Sequence, residues 1–236
     1  MNDFSDAFAT ALDLMRSFDP AFIEIVALSL KVSVTAVFFA ALLGLPLGAL
    51  LALKKFPGRG IAVVFLNALM GLPPVVVGLV IYLMLSRAGP FGVFGLLYTP
   101  TAMIVAQTVL VLPIIAAIAR QTIADLHTEY ADQLKSLGAR EGQMILTLLA
   151  EGRSSLLTAL LAGFGRAIAE VGAVMVVGGN IDHYTRTMTT AIALETSKGN
   201  LSLAMALGML LILLTIAVNA AAFGLRRRFS LLGGAS

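Results

Sequence analysis

The sequence predicts an all-α integral membrane protein. The 236 residues are 59% hydrophobic and only 12% charged, with a mean hydropathy of +0.97. A soluble domain carries about twice that charged fraction. Apolar runs long enough to traverse about 30 Å of hydrocarbon recur along the chain, separated by short polar or basic connections. Cysteine is absent, which excludes a disulfide framework or a cysteine-based metal site. The net charge of +3 is small and carries information only through its placement, so it gives no nucleic-acid signal.

In chain order, residues 1–31 form an N-terminal segment. Asp3 and Asp6 stand where a secretory signal needs a basic start, and no long apolar core follows. Phe4, Phe8, Leu12, Met15 and Phe18 share one helical face, which suits a short helix lying in the membrane interface. Residues 21–30 either extend it or begin the first crossing. The first clear crossing is 32–53, with Gly44 and Gly48 at the spacing that lets a second helix approach. The second, 61–85, is interrupted at Pro73-Pro74, whose freed carbonyls must face protein or a wet cavity. The third, 101–119, contains Gln107 and Pro113. The fourth spans about 156–177 and the fifth 201–225, followed by a basic tail over 226–236.

Five crossings place the two termini on opposite sides. One side collects Lys54, Lys55, Arg59, Arg120, Lys135, Arg140, Arg153 and Arg226 to Arg228. The other has Arg16, Lys31, Arg87, Arg186 and Lys198, and Arg166 is intramembrane. The excess of positive residues marks the first side as cytoplasmic and the N-terminus as outside.

The segment 120–153 is the one long hydrophilic interval between crossings. Leu126, Tyr130, Leu134 and Leu137 recur at helical spacing, Gly138 interrupts, and Met144, Ile145, Leu148 and Leu149 make a second apolar stripe. The pattern predicts two short amphipathic helices joined at a glycine, held at a membrane face, able to dock a soluble partner. A helical hairpin lying on the lipid is the alternative reading.

This segment resembles the coupling loop of bacterial ABC importer permeases. The family motif reads Glu-Ala-Ala, three residues, Gly, nine residues, Ile, one residue, Leu-Pro. Here Asp132 stands at the acidic position, followed by Gln133 and Leu134, with Gly138 at the glycine and Leu148 at the isoleucine. Ala150-Glu151 replaces the closing Leu-Pro, a departure from the general motif. Downstream, the runs from Gly165 to Ile181 and from Thr185 to Asn200 resemble the permeases of tungstate importers and, more loosely, of molybdate importers.

The resemblance implies a type I ABC importer permease-like bundle with five core transmembrane helices and a cytoplasmic coupling-helix loop. It implies a homodimer in the cell inner membrane, a cytoplasmic ABC ATPase dimer and an external or periplasmic substrate-binding protein. ATP and Mg would be bound by the ATPase, with no cofactor and no catalytic residue in this chain. Asp132, Leu134, Leu137, Gly138 and Ala139 would couple to the ATPase, Gly138 by making the turn and Leu137 and Ala139 as apolar contacts. An anion such as tungstate, or alternatively molybdate or another anion, would cross by alternating access.

The residues are compatible with that assignment. No Gly-x-x-x-x-Gly-Lys-Ser/Thr phosphate loop occurs, so ATP-driven transport needs a separate hydrolase. His127 and His183 are far apart and lack ligand spacing, and Ser154 and Ser155 have no catalytic partners. On the fourth crossing Arg166 and Glu170 are one turn apart, where a charge costs at least about 2.5–3.5 kcal/mol to insert and must face water or the bundle interior. They are candidates for the translocation path or its gate, or for an ion pair that holds helices together. Gly178, Gly179 and Asn180 are candidates for the outer gate and also read as a helix end. Thr185, Thr187, Thr189 and Thr190 either line an outer mouth or satisfy the backbone of a re-entrant turn. Two other classes fit the composition: an ATP-independent secondary transporter and a membrane scaffold. The coupling motif argues against both.

Overall fold

The computed structural model describes residues 20–233 and, ahead of them, Ser5, Phe8, Ala9, Leu12, Asp13, Arg16 and Ser17; at Glu141, Ala222 and 225–233 it describes the backbone only. Of the proposed N-terminal amphipathic face, Phe4, Met15 and Phe18 lie outside the described residues. The described elements are helical: α1 (Pro20–Leu53), α2 (Arg59–Met70), α3 (Pro74–Leu85), a 3-10 turn (Gly92–Phe94), α4 (Pro100–Ser136), α5 (Glu141–Glu151), α6 (Arg153–Ile168), α7 (Gly172–Gly178), α8 (Met188–Ser197) and α9 (Leu201–Gly233).

Three of the sequence expectations change. The first apolar helix starts at Pro20 instead of Val32 and runs 34 residues, because no glycine or proline stands between Pro20 and Gly44. The third crossing and the first half of the coupling segment form one continuous helix of 37 residues, so α4 replaces the expected separate short helix. The fourth crossing is not continuous: α6 stops at Ile168 and α7 begins at Gly172. By length and composition α1, α4 and the first 21 residues of α9 can each cross a membrane, and the count rises to five if each bent helix pair is one span.

The chain packs as two compact units. The first comprises the chain up to Ala36, Pro73–Gln107 and Gly165–Asn219. Its centre is the approach of α3 to α7, made possible by glycine on both helices. A Cβ at Gly78 would lie 2.7 Å from Ala173 Cα, and one at Gly172 would lie 2.6 Å from Val75 Cγ2. Tyr98 N–H donates to Val177 O at 2.9 Å and closes the end of α7. The connection from α7 to α8 is held by buried hydroxyls. Thr185 Oγ1 donates to Gly178 O at 2.6 Å and accepts from Ile181 N at 2.9 Å. Thr190 Oγ1 accepts from Thr187 N at 3.0 Å, capping α8. These threonines satisfy backbone.

The second unit comprises Val37–Leu72, Thr108–Phe164 and the chain from Ala220. Here α1 and α4 meet at Gly44 and Gly48, where a Cβ on Gly48 would lie 2.6 Å from Ala116 O and 2.9 Å from Arg120 N. Backbone cannot withdraw as a flexible side chain can. Gly48→Val is therefore expected to splay the two helices and destabilise the chain by at least the ~1–3 kcal/mol of an overpacked core. Thermal unfolding of the detergent-solubilised protein measures this, and a melting temperature equal to that of the unaltered chain contradicts the close approach. Arg59 donates to Leu51 O at 2.7 Å and Ala52 O at 3.0 Å, capping the carbonyls that α1 leaves free at its C-terminus.

Candidate functional site

Two places gather the residues that the sequence singles out. In the first unit, α6 ends at Ile168, where Ala167 O accepts from Glu170 N at 3.2 Å in a tighter turn than the α-helix. Gln107, a lone amide in an apolar run, donates from Nε2 to Ala167 O at 2.9 Å and is itself buried. Thr189 Oγ1 donates to Glu170 O at 2.7 Å. The broken backbone is thus paired from α4 on one side and from α8 on the other.

Glu170 lies within the break and not on a continuous helix, which corrects the expected one-turn spacing of Arg166 and Glu170 along a single helix. Its carboxylate is buried, with 3% of the side chain exposed. Oε1 accepts from Ala173 N at 3.0 Å, which satisfies an N–H in the first turn of α7. Oε2 is 3.6 Å from Arg166 Nη2, and the Arg166 side chain is 37% exposed. Both carboxylate oxygens therefore have partners. The exposed part of the pair belongs to Arg166.

Gly178, Gly179 and Asn180 form the end of α7. Gly179 has φ 72° and is the left-handed cap of the helix. Asn180 follows with φ 49°, a conformation that asparagine tolerates better than most side chains. Asn180 Nδ2 lies 3.5 Å from Thr190 O, which ties this turn to α8.

Near the same turn, His183 Nδ1 lies 2.7 Å from Glu24 Oε2 on α1, and Arg186 Nη1 donates to Asp182 Oδ1 at 2.7 Å. The hydrogen bond to Glu24, then the Asp182 charge, raises the His183 imidazole above its ordinary 6.5. Because the folded pKa lies above the unfolded one, the contact contributes fully below pH 6.5 and is lost as pH rises through the folded value. Glu24→Gln is expected to move the His183 titration midpoint down towards 6.5, read by NMR of labelled histidine. An unmoved midpoint would show that Glu24 is not the cause.

In the second unit, α4 ends at Ser136 and Gly138 takes φ 74°. Ala139 N donates to Leu134 O at 3.0 Å and Gly138 N to Lys135 O at 2.9 Å, the two bonds of a Schellman turn. Arg140 N donates to Gln143 Oε1 at 2.9 Å and starts α5. Leu126, Tyr130 and Leu134 pack inward on a core of Ala49, Ile123, Met144 and Leu148. Leu134 is thus a support of the turn, whereas Leu137 is 82% exposed. Asp132 is exposed and lies 3.7 Å from Lys135. The turn therefore presents an apolar side chain, an acid and a fixed backbone bend, with its other apolar residues held inside. The sequence stripe assigned Leu134 and Leu137 to one face; the Schellman turn separates them.

What sequence reasoning missed is the set of partners across the helix break. Gln107 was visible as a polar residue in an apolar run, which is a signal on physical grounds. Ser29, which accepts from Met188 N at 2.8 Å, gives no comparable signal. Among the described residues no group of three or more His, Cys, Asp or Glu is placed to hold a metal ion.

Residues 44–231 match the family described as binding-protein-dependent transport system inner membrane component. The chain is 42% identical over 203 residues to a probable anion ABC transporter permease protein of Haloferax volcanii, covering 84% of this chain and 88% of that one. It is 40% identical over 226 residues to the tungstate uptake system permease protein TupB of Peptoclostridium acidaminophilum, covering 96% and 99%. Among solved structures, an inward-facing MetNI methionine ABC transporter chain superposes with a TM-score of 0.75 at 19% identity, covering 90% of this chain and 97% of that one. That likeness establishes the fold as the type I ABC importer permease bundle. The chain belongs to the family of inner membrane components of binding-protein-dependent transport systems, as a multi-pass ABC importer permease.

Proposed function

We propose that this permease carries tungstate across the inner membrane as a homodimer, driven by a cytoplasmic ATPase dimer and fed by an external binding protein. The observation that carries the ion is the 40% identity to a tungstate permease over nearly the whole of both chains. A second tungstate permease, from Campylobacter jejuni, is 36% identical over 222 residues, whereas the molybdenum permease ModB of Escherichia coli is 28% identical over 177.

The proposed topology has five crossings: α1, the α2–α3 pair, α4, the α6–α7 pair and α9. The N-terminus is outside and the C-terminus cytoplasmic, supported by the excess of basic residues beside the coupling segment. Asp132, Leu137, Gly138 and Ala139 meet the ATPase, and Leu134 holds the turn from inside. ATP binding draws the two coupling turns together and favours the outward-open state; hydrolysis resets it. The ligand moves because ATP and ion bind the two states with different affinities. Arg166, with Glu170 fixing its position, lies at the path or gate, and Gly178, Gly179 and Asn180 form the outer end of that gate.

Proteoliposomes containing this chain, with and without the ATPase and the binding protein, test the reading. Uptake that requires both partners and ATP, and that prefers tungstate over molybdate and sulfate, is the expected result. Uptake without ATP would replace the importer with a secondary carrier, and a preference for molybdate would reassign the ion.

A further inference from the structure

Helix α2 has one residue that its surroundings do not explain. It is apolar from Ile61 onward except for Asn67, and Asn67 is exposed. Polar side chains on the apolar helix α9 turn back on their own backbone: Thr215 Oγ1 donates to Leu211 O at 2.8 Å, and Asn219 Nδ2 to Thr215 O at 2.8 Å. Asn67 does not, and among the described residues its amide has no hydrogen bond. The last residue of α2 adds a second polar group. In a continuing helix Met70 O would accept from residue 73 or 74, and both are proline, which has no N–H to give. Neither group can be left facing hydrocarbon, which offers no hydrogen bonds.

The exposed surface of α2 has two sides. Ile61 and Phe65, exposed at 77 and 63%, make a bulky apolar side suited to lipid. Gly60, Val64 and Asn67 recur at helical spacing on the other, and no atom lies within 4 Å of where a Cβ on Gly60 would be. The helix contains no carboxylate. We propose that this second side lines the water-filled passage and that Asn67 donates its amide N–H to the oxyanion in transit. The inference rests on the importer reading above, with the α2–α3 pair as a crossing. Water in a passage satisfies the amide and Met70 O together. A dry contact with a second copy of the chain pairs amide with amide and leaves Met70 O, an acceptor only, without a donor in each copy. An uncharged donor also suits an ion that must leave again, because conduction needs contacts weak enough to release it.

The chain contains no cysteine, so Asn67→Cys gives a single thiol, with Phe65→Cys as the lipid-side control. Full-length variants are assembled in proteoliposomes with the ATPase and the binding protein and treated with a sulfonate-bearing methanethiosulfonate, which attacks from water. The Asn67→Cys thiol is expected to react about tenfold or more faster than the Phe65→Cys thiol, because an apolar setting raises a thiol pKa and depletes the reactive thiolate. Tungstate uptake is then read in Asn67→Asp and Asn67→Gln. Aspartate keeps the shape but repels an anion, and its maximal uptake rate is expected to fall about tenfold or more, the effect of losing one hydrogen bond to a charged group. The half-saturating tungstate concentration stays unchanged, since the binding protein captures the ion, and so does the unfolding temperature in detergent. Asn67→Gln keeps most of the uptake. Equal labelling of the two thiols would overturn the proposal, as would normal uptake by Asn67→Asp. Disulfide formation between two Asn67→Cys chains without labelling would do the same and assign this side of α2 to a second copy. If the unaltered chain moves no oxyanion, the importer reading fails and this inference with it; uptake by the unaltered chain with an unlabelled Asn67→Cys variant removes this inference alone.

Discussion

Replacing Glu170 with alanine is expected to destabilise the permease and to abolish most of its uptake. The substitution removes the acceptor for Ala173 N–H and leaves Arg166 without its carboxylate. Losing a helix cap costs about 0.5–2 kcal/mol. Breaking a fully buried pair costs about 3–5 kcal/mol, and less here because the Arg166 side chain is 37% exposed. Thermal unfolding in detergent reads the sum at about 2–4 °C per kcal/mol for a chain of this size. Glu170→Gln separates the two roles, since its amide oxygen still accepts from Ala173 while the charge is gone. Under the gate reading, Glu170→Gln keeps the cap, loses less stability than Glu170→Ala and still loses uptake. Normal uptake and normal stability in Arg166→Gln would end that reading.

The second large effect is at Gly138. Its φ of 74° is a conformation that costs an ordinary L-residue about 1–2 kcal/mol, and no atom lies within 4 Å of where its Cβ would be. A substitution there strains the bend without clashing. Gly138→Asp should therefore leave the amount of membrane-inserted protein unchanged while shifting Leu137 and Ala139, the residues proposed to meet the ATPase. Ions moved per ATP hydrolysed are expected to fall about 5–150-fold, the range spanned by typical coupling free energies. Gly138→Asn, which tolerates the left-handed region, should recover part of the loss. If Gly138→Asp transports with unaltered stoichiometry, the turn is not the coupling element.

The two sites differ in how far the sequence disclosed them. The turn at Gly138 was legible because its signals are local: an apolar stripe, a glycine and a second stripe within one polar interval. A Schellman turn needs only residues adjacent in sequence, so its position follows from them. Which leucines face outward was not legible. Leu134 packs on Met144 and Leu148 while Leu137 is exposed, and that division depends on α5 folding back beside α4.

The break at Glu170 was hidden for the opposite reason. Residues 156–177 read as one apolar span, and only distant groups make a break tolerable. Gln107 on α4 adds a donor to Ala167 O, which also accepts from Glu170 N, and Thr189 on α8 supplies one to Glu170 O, so carbonyls in an apolar setting are not left unpaired.

By itself the sequence determined the solvent this chain lives in, its helical class, the asymmetry of its basic residues and the place of its glycine turn. Each of these follows from composition and short-range spacing. Only the tertiary structure decided where helices break, which oxygen of Glu170 serves Arg166 and which serves α7, and which leucines of the Gly138 turn are exposed. Hydrogen bonds and cavities join residues far apart in sequence, and no local pattern records which of them meet.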